Sequence, residues 1–490
     1  MKKTLLIIFS SLWMVMMLYA QENQEEKYYS GLLLNDSAYA LIPEKPILLT
    51  RSYNTLPKSH LLKQYCPAIG SQGNHGTCTG WAAAYAARTI TEAVINQWKT
   101  PVKTTAEAFS PLFVYSLIRG ENSANCQRGI YLDAAFEILK KRGVVKYDDF
   151  NYYCSASVTI SNELHTKARA YTIDNYFALF SLSDSYAKKI NTTKKSIAEN
   201  RPVVISMANF ISFQKNNEEV WSGITDTQDG YHAMCVVAYD DNKYGGAFLL
   251  MNSWGTRWGS GGFKWVRYTD YSQHVNYAME MYVREKRVPT APQPPRPQPV
   301  PTATTPSSSQ PEFVNLAGEV HFVLSTGQKM RSHLRFINNI PYYTLAGSYV
   351  SGTRYRLYVS NNEPAYVYVI GSDLANSVSK VFPPNDLISA ALVYKSNDIA
   401  IPDEKWYIEM DNTIGKDYAC ILYSRDELPI DDIVKEVSAE SGSFFEKVYK
   451  ALRDKTVPVK DIKYDSSSIK FRVKNTSKIV VPIIVEIDHH

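Results

Sequence analysis

Cysteine is scarce in this chain, and neither sign of charge dominates. Six cysteines among 490 residues are too few for a fold that disulfides hold together. They form no CxxC pair and no Cys/His cluster with the spacing of a zinc site, so we expect no metal and no other cofactor. The 53 basic and 48 acidic residues give a formal net charge of only +5. Because no dense basic run occurs, the composition predicts no nucleic-acid partner.

Long apolar segments are also rare. The clearest one covers residues 5–18, follows Lys2 and Lys3, and precedes Ala20. It is shorter than the ~20 residues that span a bilayer, so a secretory signal peptide over residues 1–20 is favoured over a membrane anchor. We therefore expect an exported protein, in the periplasm, at the cell surface or in the medium, without a transmembrane segment.

What the chain does contain is material for two folded units. Hydrophobic residues make up 45% and charged residues 21% of the chain, which excludes a disordered protein. The stretch PTAPQPPRPQPVPTATTPSSSQP, at residues 289–311, is typical of an extended spacer. We predict a linker over residues 287–312. It separates an N-terminal segment (21–60) and a first unit (61–286) from a second unit (313–490).

The first unit carries helix patterns before strand patterns. Helices are predicted over residues 78–93 and 131–141, the second one stopped by Gly143. Apolar, strand-like runs follow at residues 202–207, 233–239, 247–252 and 262–268. Helices first and strands later, without regular alternation, indicate an α+β fold.

The second unit alternates apolar and polar residues over short runs, as in RYRLYV and AYVYVI. This alternation predicts a mostly β domain, an antiparallel sheet or a sandwich. One helix is expected where Phe444, Val448 and Leu452 share a face. The last strand, at residues 479–487, contains Pro482, and we predict that it lies at a sheet edge.

A candidate nucleophile lies in the segment SQGNHGTCTGWA, residues 71–82. Cys78 stands where the first helix pattern begins, and a helix N-terminus beside an imidazolium lowers the pKa of a thiol from about 8.5 to as little as ~3–4. The Gln72 amide and the Cys78 N–H are suited to donate hydrogen bonds to a developing oxyanion. A lone cysteine in an Ala-rich helix is more often an inert core residue.

A candidate base and its support come later in the unit. His232, at the mouth of an apolar strand, is suited to take a thiol proton and return it to a leaving amine. Asn252 can accept from one imidazole nitrogen and fix the tautomer, while Trp254 can shield that hydrogen bond from water. A structural histidine and a turn asparagine are the alternatives for each residue alone. The combination with Cys78 favours catalysis.

These segments resemble the papain family of cysteine peptidases. QGNHGTC is similar to the family's QGxCGSC, NSWGTRWGSGGFKWV to NSWGxxWGxxGY, GYHAMCVVAYDD to NHAVxxVGY, and FSPLFVYSL to its LSxQxLxD helix. The resemblance implies a two-lobed domain, with a helical lobe and a β-barrel-like lobe. It also implies hydrolysis of peptide bonds in proteins or peptides through an acyl-enzyme, with Cys78, His232, Asn252 and Gln72 as catalytic residues.

The resemblance further suggests how substrate and disulfide sites are arranged. The family's CNGG reads CQRG here, so Gly129 would provide the backbone edge for an extended substrate. Arg128 lies either near the cleft or in solvent, and Trp254 completes the expected substrate-binding set. His75 replaces the cysteine that would pair with Cys126, so Cys154 becomes the candidate disulfide partner of Cys126. Two free thiols are the alternative.

Some features depart from the family or stay open. The segment before the catalytic motif is short and lacks the pattern of the family's long helical prodomain, so inhibition of that kind is not expected. The segment is expected to wrap the enzyme or to be trimmed. A transglutaminase-like acyl transferase and a non-catalytic papain-like binding protein are the rival functions. The second unit loosely resembles a β-rich bacterial accessory domain of unknown function, and we expect it to contact the cell surface or another protein.

Overall fold

The computed structural model describes residues 28–119, 125–152, 154, 159–215, 218–284, 314–373, 377–394 and 396–490. The predicted signal peptide (1–20) and linker (287–312) lie outside these ranges. Within them, no helix combines the length and the apolar character needed to cross a membrane.

The N-terminal segment and the first unit together contain short helices and nine strands. The helices are Asp36–Tyr39, Thr50–Asn54, Lys63–Tyr65, Cys78–Gly80, Trp81–Arg88, Thr89–Ile95, Pro101–Ala106, Pro111–Arg119, Leu132–Lys141, Asn162–Ala168, Arg169–Tyr171, Tyr186–Ala198, Ile211–Lys215 and Tyr268–His274. The strands are β1 Leu32–Leu33, β2 Ser59–Leu61, β3 Ile130–Tyr131, β4 Asn175–Ala178, β5 Val203–Phe210, β6 Gln228–Asp240, β7 Ala247–Met251, β8 Phe263–Arg267 and β9 Val275–Tyr282. The unit is α+β, as predicted.

The Ala-rich stretch after Cys78 forms a continuous helical run whose hydrogen bonding changes along its length. Cys78–Gly80 and Thr89–Ile95 are α-helical, and Trp81–Arg88 between them is π-helical. Every residue of the π-helical part is buried. Small alanine side chains let neighbouring elements approach closely, and Gly80 lies directly against the backbone of Pro111, where a Cβ would collide. The run therefore fixes Cys78 in the middle of the unit.

The nine strands form one sheet with the order β3-β1-β6-β5-β9-β4, and β2, β7 and β8 extend it beside β6. Strand β6 is the longest and lies at the centre of the pairing. Its residues are buried without alternation from His232 to Tyr239, as expected for a strand covered on both faces. The sheet carries His232 on this strand and places Asn252 just beyond the end of β7, the strand paired with β6.

The second unit is a β-sandwich with two α-helices, Ile430–Ala439 and Phe444–Leu452, and two short 3-10 helices, Arg453–Lys455 and Val459–Asp461. Its strands are β10 Val314–Leu324, β11 Lys329–Met330, β12 Ser332–Ile337, β13 Ile340–Tyr349, β14 Arg354–Asn361, β15 Ala365–Ser372, β16 Val378–Phe382, β17 Ala391–Leu392, β18 Asn397–Ile401, β19 Ile408–Glu409, β20 Gly415–Ser424, β21 Ile462–Tyr464, β22 Ile469–Thr476 and β23 Val480–His489. They form two seven-stranded sheets, one built around β10, β14 and β22 and the other around β13, β23, β20 and β15. The alternating residues Tyr355, Leu357 and Val359 of β14 are buried in the core between the sheets.

Two details of this unit differ from the sequence analysis. The expected helix is present as Phe444–Leu452, but a second helix, Ile430–Ala439, precedes it. The last strand, β23, is not at an edge, since it lies between β13 and β20. Its pairing with β13 starts only at Val485, so Pro482, which has no N–H to donate, has a ladder partner on one side alone.

The two units share a hydrophobic cluster. Phe177 of β4 and Tyr282 of β9 are buried together with apolar residues of the sandwich, among them Tyr366, Ile370 and Leu422. Arg284 forms an ion pair with Asp426 of the sandwich, with 2.9 Å between the nitrogen and the oxygen. The second unit is therefore packed against the first one.

Candidate active site

Cys78 lies in the first turn of its helical run and is completely buried. The backbone amides of Gly31 and Ala233 approach its sulfur, the first at 3.3 Å between N and Sγ. Ala233 follows His232 directly in β6, so the sulfur lies beside the strand that carries the histidine. Amide donors stabilise a thiolate, but burial acts more strongly and raises the pKa of the Cys78 thiol.

His232 is held by Asn252 beneath an indole ring. The Nε2 atom of His232 is 2.7 Å from Oδ1 of Asn252, and the ring centroids of His232 and Trp254 are 4.2 Å apart with near-parallel planes. Asn252 Oδ1 also accepts from the backbone N–H of Ser253. The amide therefore fixes the tautomer with the proton on Nε2, and the other nitrogen, Nδ1, has no hydrogen-bond partner among the described residues.

Burial sets the charge state of this pair. It lowers the pKa of His232 to about 4, an effect that the hydrogen bond to Asn252 only partly offsets. The same cause raises the pKa of Cys78. In this closed arrangement a thiol and a neutral imidazole are therefore favoured over a thiolate and an imidazolium, because charged groups lose their hydration when water is excluded.

Gln72 is buried and firmly oriented. Its Oε1 accepts a hydrogen bond from the Ser253 hydroxyl at 2.7 Å. Its Nε2 donates to the carbonyl oxygens of His75 and Tyr29, at 2.7 and 3.0 Å. We expect the Gln72 Nε2 group to donate to an oxyanion. In this structure it donates instead to the Tyr29 carbonyl, which belongs to the N-terminal segment of the same chain.

The CQRG segment lies across the cleft from His232. Gly129 is buried, whereas the Arg128 side chain is exposed. The sulfurs of Cys126 and Cys154 are bonded, with 5.3 Å between the two Cα atoms, so the expected disulfide is confirmed. The N–H of Gly76, in the loop before Cys78, donates to the Cys126 carbonyl at 2.7 Å. The disulfide-bonded segment therefore supports the loop that leads to the nucleophile.

Residues 28–34, which we call the plug, lie across these groups. Strand β1 of the plug pairs in parallel with β3 and antiparallel with β6, so that Leu32 is between Ile130 and Tyr231. Upstream of β1, the Tyr28 ring stacks on Trp254 with 4.8 Å between centroids. The plug thus extends from the indole wall, over Cys78, to the glycine edge at residue 129.

The fit around Gly31 permits no side chain. A Cβ at Gly31 would collide with the carbonyl of Gly76, and a Cβ at Gly129 would collide with the carbonyl of Gly31. The carbonyl oxygen of Gly31 accepts from the N–H of Ile130 at 3.0 Å. The backbone at Gly31 can approach the backbones at Gly76 and Gly129 this closely only because Gly31 and Gly129 carry no side chain.

The sequence analysis did not find the plug. It predicted a segment that wraps or is trimmed, and the structure adds that its first described residues fill the cleft. The local sequence YYSGLLL contains one clue, a single glycine followed by three leucines. That pattern does not indicate which distant backbone the glycine approaches.

A family model described as "Papain family cysteine protease" matches residues 57–284. Residues 57–284 belong to the papain family. A second family model, "Domain of unknown function (DUF4384)", matches residues 348–427, within the sandwich. The papain-family region contains Gln72, Cys78, His232 and Asn252, and the plug lies before its first residue.

Curated relatives of the papain-family domain include plant cysteine proteases. A probable cysteine protease of Arabidopsis thaliana is 27% identical over 200 residues, which cover 40% of this chain and 50% of that protein. A thiol protease of Hemerocallis sp. is 30% identical over 202 residues, covering 40% and 49%. The chain therefore spans about half the length of these relatives.

Among solved structures, xylellain, a cysteine protease from Xylella fastidiosa, is 23% identical and covers 51% of this chain and 99% of its own, with a TM-score of 0.42. Bromelain from Ananas comosus, in complex with the inhibitor E64, is 18% identical with a TM-score of 0.37, covering 47% and 100%.

Proposed function

We propose that the chain is a cysteine peptidase that hydrolyses peptide bonds in proteins or peptides. The hydrogen bond from His232 to Asn252 under the Trp254 ring, beside the helix start that holds Cys78, carries this proposal. An imidazole fixed in one tautomer next to a thiol is the arrangement that covalent catalysis requires. The family membership of the domain supports the same chemistry.

The reaction would begin with proton transfer from Cys78 to His232. The thiolate attacks the substrate carbonyl carbon, and the negative charge that develops on its oxygen is stabilised by the Gln72 amide and the Cys78 N–H. His232 then donates the proton to the leaving amine, which leaves an acyl-enzyme. Water, deprotonated by His232, hydrolyses the thioester and restores the thiol.

We infer that the described form is latent. The plug covers the Cys78 sulfur with the Gly31 amide and occupies the Gln72 donor with the Tyr29 carbonyl. A substrate carbonyl needs both of these positions. The plug must therefore leave the cleft, or be cut, before a peptide can bind.

Peptide-library hydrolysis tests the proposed function. Gly31→Val, which cannot make the close approach at Gly76, is expected to cleave peptides, and Gly31→Val/Cys78→Ala is expected to cleave none. Cys66→Ala in the same Gly31→Val background is the matched control, since Cys66 is also a buried free thiol. Acyl transfer to amines without hydrolysis would indicate a transglutaminase-like enzyme. Labelling of Cys78 without turnover on any peptide would indicate a binding protein.

We also propose that the protein is exported. The Lys-led apolar stretch before Ala20 supports export, and so does a disulfide at Cys126, because disulfides persist in oxidising compartments. A Cys78→Ala chain produced in a bacterial host is expected outside the cytoplasm with an N-terminus near Gln21. Recovery of the chain from the cytoplasm with Met1 retained would contradict export.

A further inference from the structure

Residues 36–54, which we call the strap, follow the plug and lie between the papain-family domain and the sandwich. At Glu44 the strap forms backbone hydrogen bonds on both sides. The N–H of Glu44 donates to the Leu387 carbonyl and the N–H of Ser389 donates to the Glu44 carbonyl, both at 2.8 Å. On the other side, the N–H of Ala178 donates to the Pro43 carbonyl at 3.1 Å. The strap therefore joins the two units as a shared strand would.

The strap continues into the sandwich. Leu48 is 6% exposed and belongs to the core cluster between the two sheets of the sandwich, whereas its neighbour Ile47 is 59% exposed. The N–H of Leu49 donates to the Asp398 carbonyl at 3.0 Å. The N–H and the hydroxyl of Thr50 both donate to Glu404, at 2.9 and 2.7 Å. An apolar anchor and three hydrogen bonds thus fix this half of the strap to the sandwich.

A buried ionic cluster joins the strap to both units at once. The Glu280 side chain, on β9 of the papain-family domain, is fully buried. Lys45 of the strap donates to it at 2.8 Å, and the hydroxyl of Tyr394 of the sandwich donates at 2.6 Å. The Lys45 ammonium also lies 3.8 Å from the centroid of the Tyr394 ring. A charge buried as deeply as Glu280 needs these partners, so the three parts of the chain depend on one another here.

The other end of the strap connects to the plug. Tyr39 is buried, its hydroxyl donates to the Phe180 carbonyl at 2.7 Å, and its ring stacks on Tyr277. Only residues 35–38 separate Tyr39 from the end of the plug. A displacement of the strap at the sandwich would act on the plug through this short segment.

We infer that the sandwich is an intramolecular clamp: it binds the strap, holds the plug over Cys78 through the strap, and retains the strap after the plug has been cut away. The regulatory consequence rests on the proposed peptidase function, whereas the clamp itself does not. The clamp assigns a partner to the domain of unknown function, namely the N-terminal segment of its own chain.

The test uses the full chain with a protease site introduced within residues 289–311. After this site is cut, the two pieces are expected to co-elute, because the strap, the Glu280 cluster and the shared hydrophobic cluster around Phe177 and Tyr282 still join them. Iodoacetamide labelling of Cys78 is expected to stay as slow as in the uncut protein. In Leu48→Asp, the shared hydrophobic cluster still joins the pieces, but labelling of Cys78 is expected to be at least about tenfold faster, since the rate reports the open fraction of the cleft.

Ile47→Asp is the matched control, because it places the same charge one residue away at an exposed position. Labelling of Cys235 and Cys420, which are buried in the two units, distinguishes release of the plug from general unfolding. If Leu48→Asp unfolds by this criterion, Leu48→Ala replaces it. The clamp is refuted if Cys78 is labelled at the same rate in the Leu48 variant and in Ile47→Asp.

These readouts do not require catalysis. Fast labelling of Cys78 in Gly31→Val without peptide hydrolysis would therefore refute the proposed function and leave the clamp standing.

Discussion

At the scale of single residues, the exclusion of water decides the charge of the Cys78–His232 pair. Cys78 and His232 are both fully buried while the plug is in place, and burial shifts both pKa values toward neutral groups. Departure of the plug would hydrate the pair and remove the main cause of both shifts. The same two residues can then form the thiolate and imidazolium that attack on a carbonyl requires.

The shifted pKa of His232 predicts a pH-dependent stability. The pKa is about 4 in the folded protein and ~6.5 in an unfolded chain, so the unfolded state binds the proton more readily. Stability is fully present above pH ~6.5 and is lost as the pH falls toward 4, by up to about 3 kcal/mol. Denaturant unfolding of Cys78→Ala against pH measures this loss. With His232→Gln in the same background, the free energy of unfolding should depend less on pH. If it depended on pH as steeply as in Cys78→Ala alone, the loss could not be assigned to His232.

The hydrogen bond of Asn252 predicts a second effect. Asn252→Ala removes the acceptor for His232 and also for the Ser253 N–H. In the Gly31→Val background, kcat/KM is expected to fall about 10- to 100-fold, the value of one buried hydrogen bond to a charged ring. Asn252→Asp keeps an acceptor at the same place and should recover part of the loss. Equal activity of Asn252→Ala and its parent would show that the imidazole needs no positioning by this residue.

At the scale of elements, hydrogen bonds from neighbouring segments hold the loop that precedes Cys78. The loop before Cys78 is held by the Gly76 N–H, which donates to the Cys126 carbonyl. Cys126 in turn is tied to Cys154 across 28 positions of sequence. The disulfide thus stabilises the turn that aims the nucleophile.

Loss of this disulfide is expected to lower the free energy of unfolding by about 3.5 kcal/mol, the value for a loop of this length. The comparison is between Cys126→Ala/Cys154→Ala and its parent, both in the Cys78→Ala background, by urea unfolding. The same parent in reducing agent should shift by a similar amount. If reducing agent left the free energy of unfolding of the parent unchanged, the disulfide would have no structural role.

The sequence predicted those parts of the site whose residues are close together in the chain, and it did not predict contacts between distant segments. Gln72 and Cys78 lie in one short segment, as do Asn252 and Trp254, so local motifs were enough to propose the site. The plug depends on the pairing of Leu32 with Ile130, a contact between distant segments that no local pattern encodes. The edge position predicted for the strand that contains Pro482 was wrong for the same reason. The missing N–H of Pro482 excludes a hydrogen-bonded partner on one side of the strand, and it does so at that residue alone. Which strands lie on either side of β23 is again decided by distant segments.

At the scale of the whole molecule, the two units share their packing. Phe177 and Tyr282 of the papain-family domain are buried among sandwich residues, and the strap contributes Leu48 to the sandwich core. Elements that bury one another's apolar surface unfold together. The sandwich and the papain-family domain are therefore expected to behave as one folded body.

Calorimetry checks this dependence. The Cys78→Ala chain is expected to unfold in one thermal transition, and Phe177→Asp is expected to split it into two by weakening the shared cluster. Exposed Leu182→Asp in the same domain should keep a single transition. Two independent transitions in the parent protein would contradict the shared core.

The pH dependence of Cys78 alkylation in the Gly31→Val protein tests the central claim most directly. If Cys78 and His232 form a reactive pair once the plug is displaced, iodoacetamide should label Cys78 at pH 5–6, where an ordinary thiol with a pKa of about 8.5 is almost entirely protonated. His232→Ala in the same background should abolish labelling at that pH. Alkylation that starts only above about pH 8, with or without His232, would contradict the account.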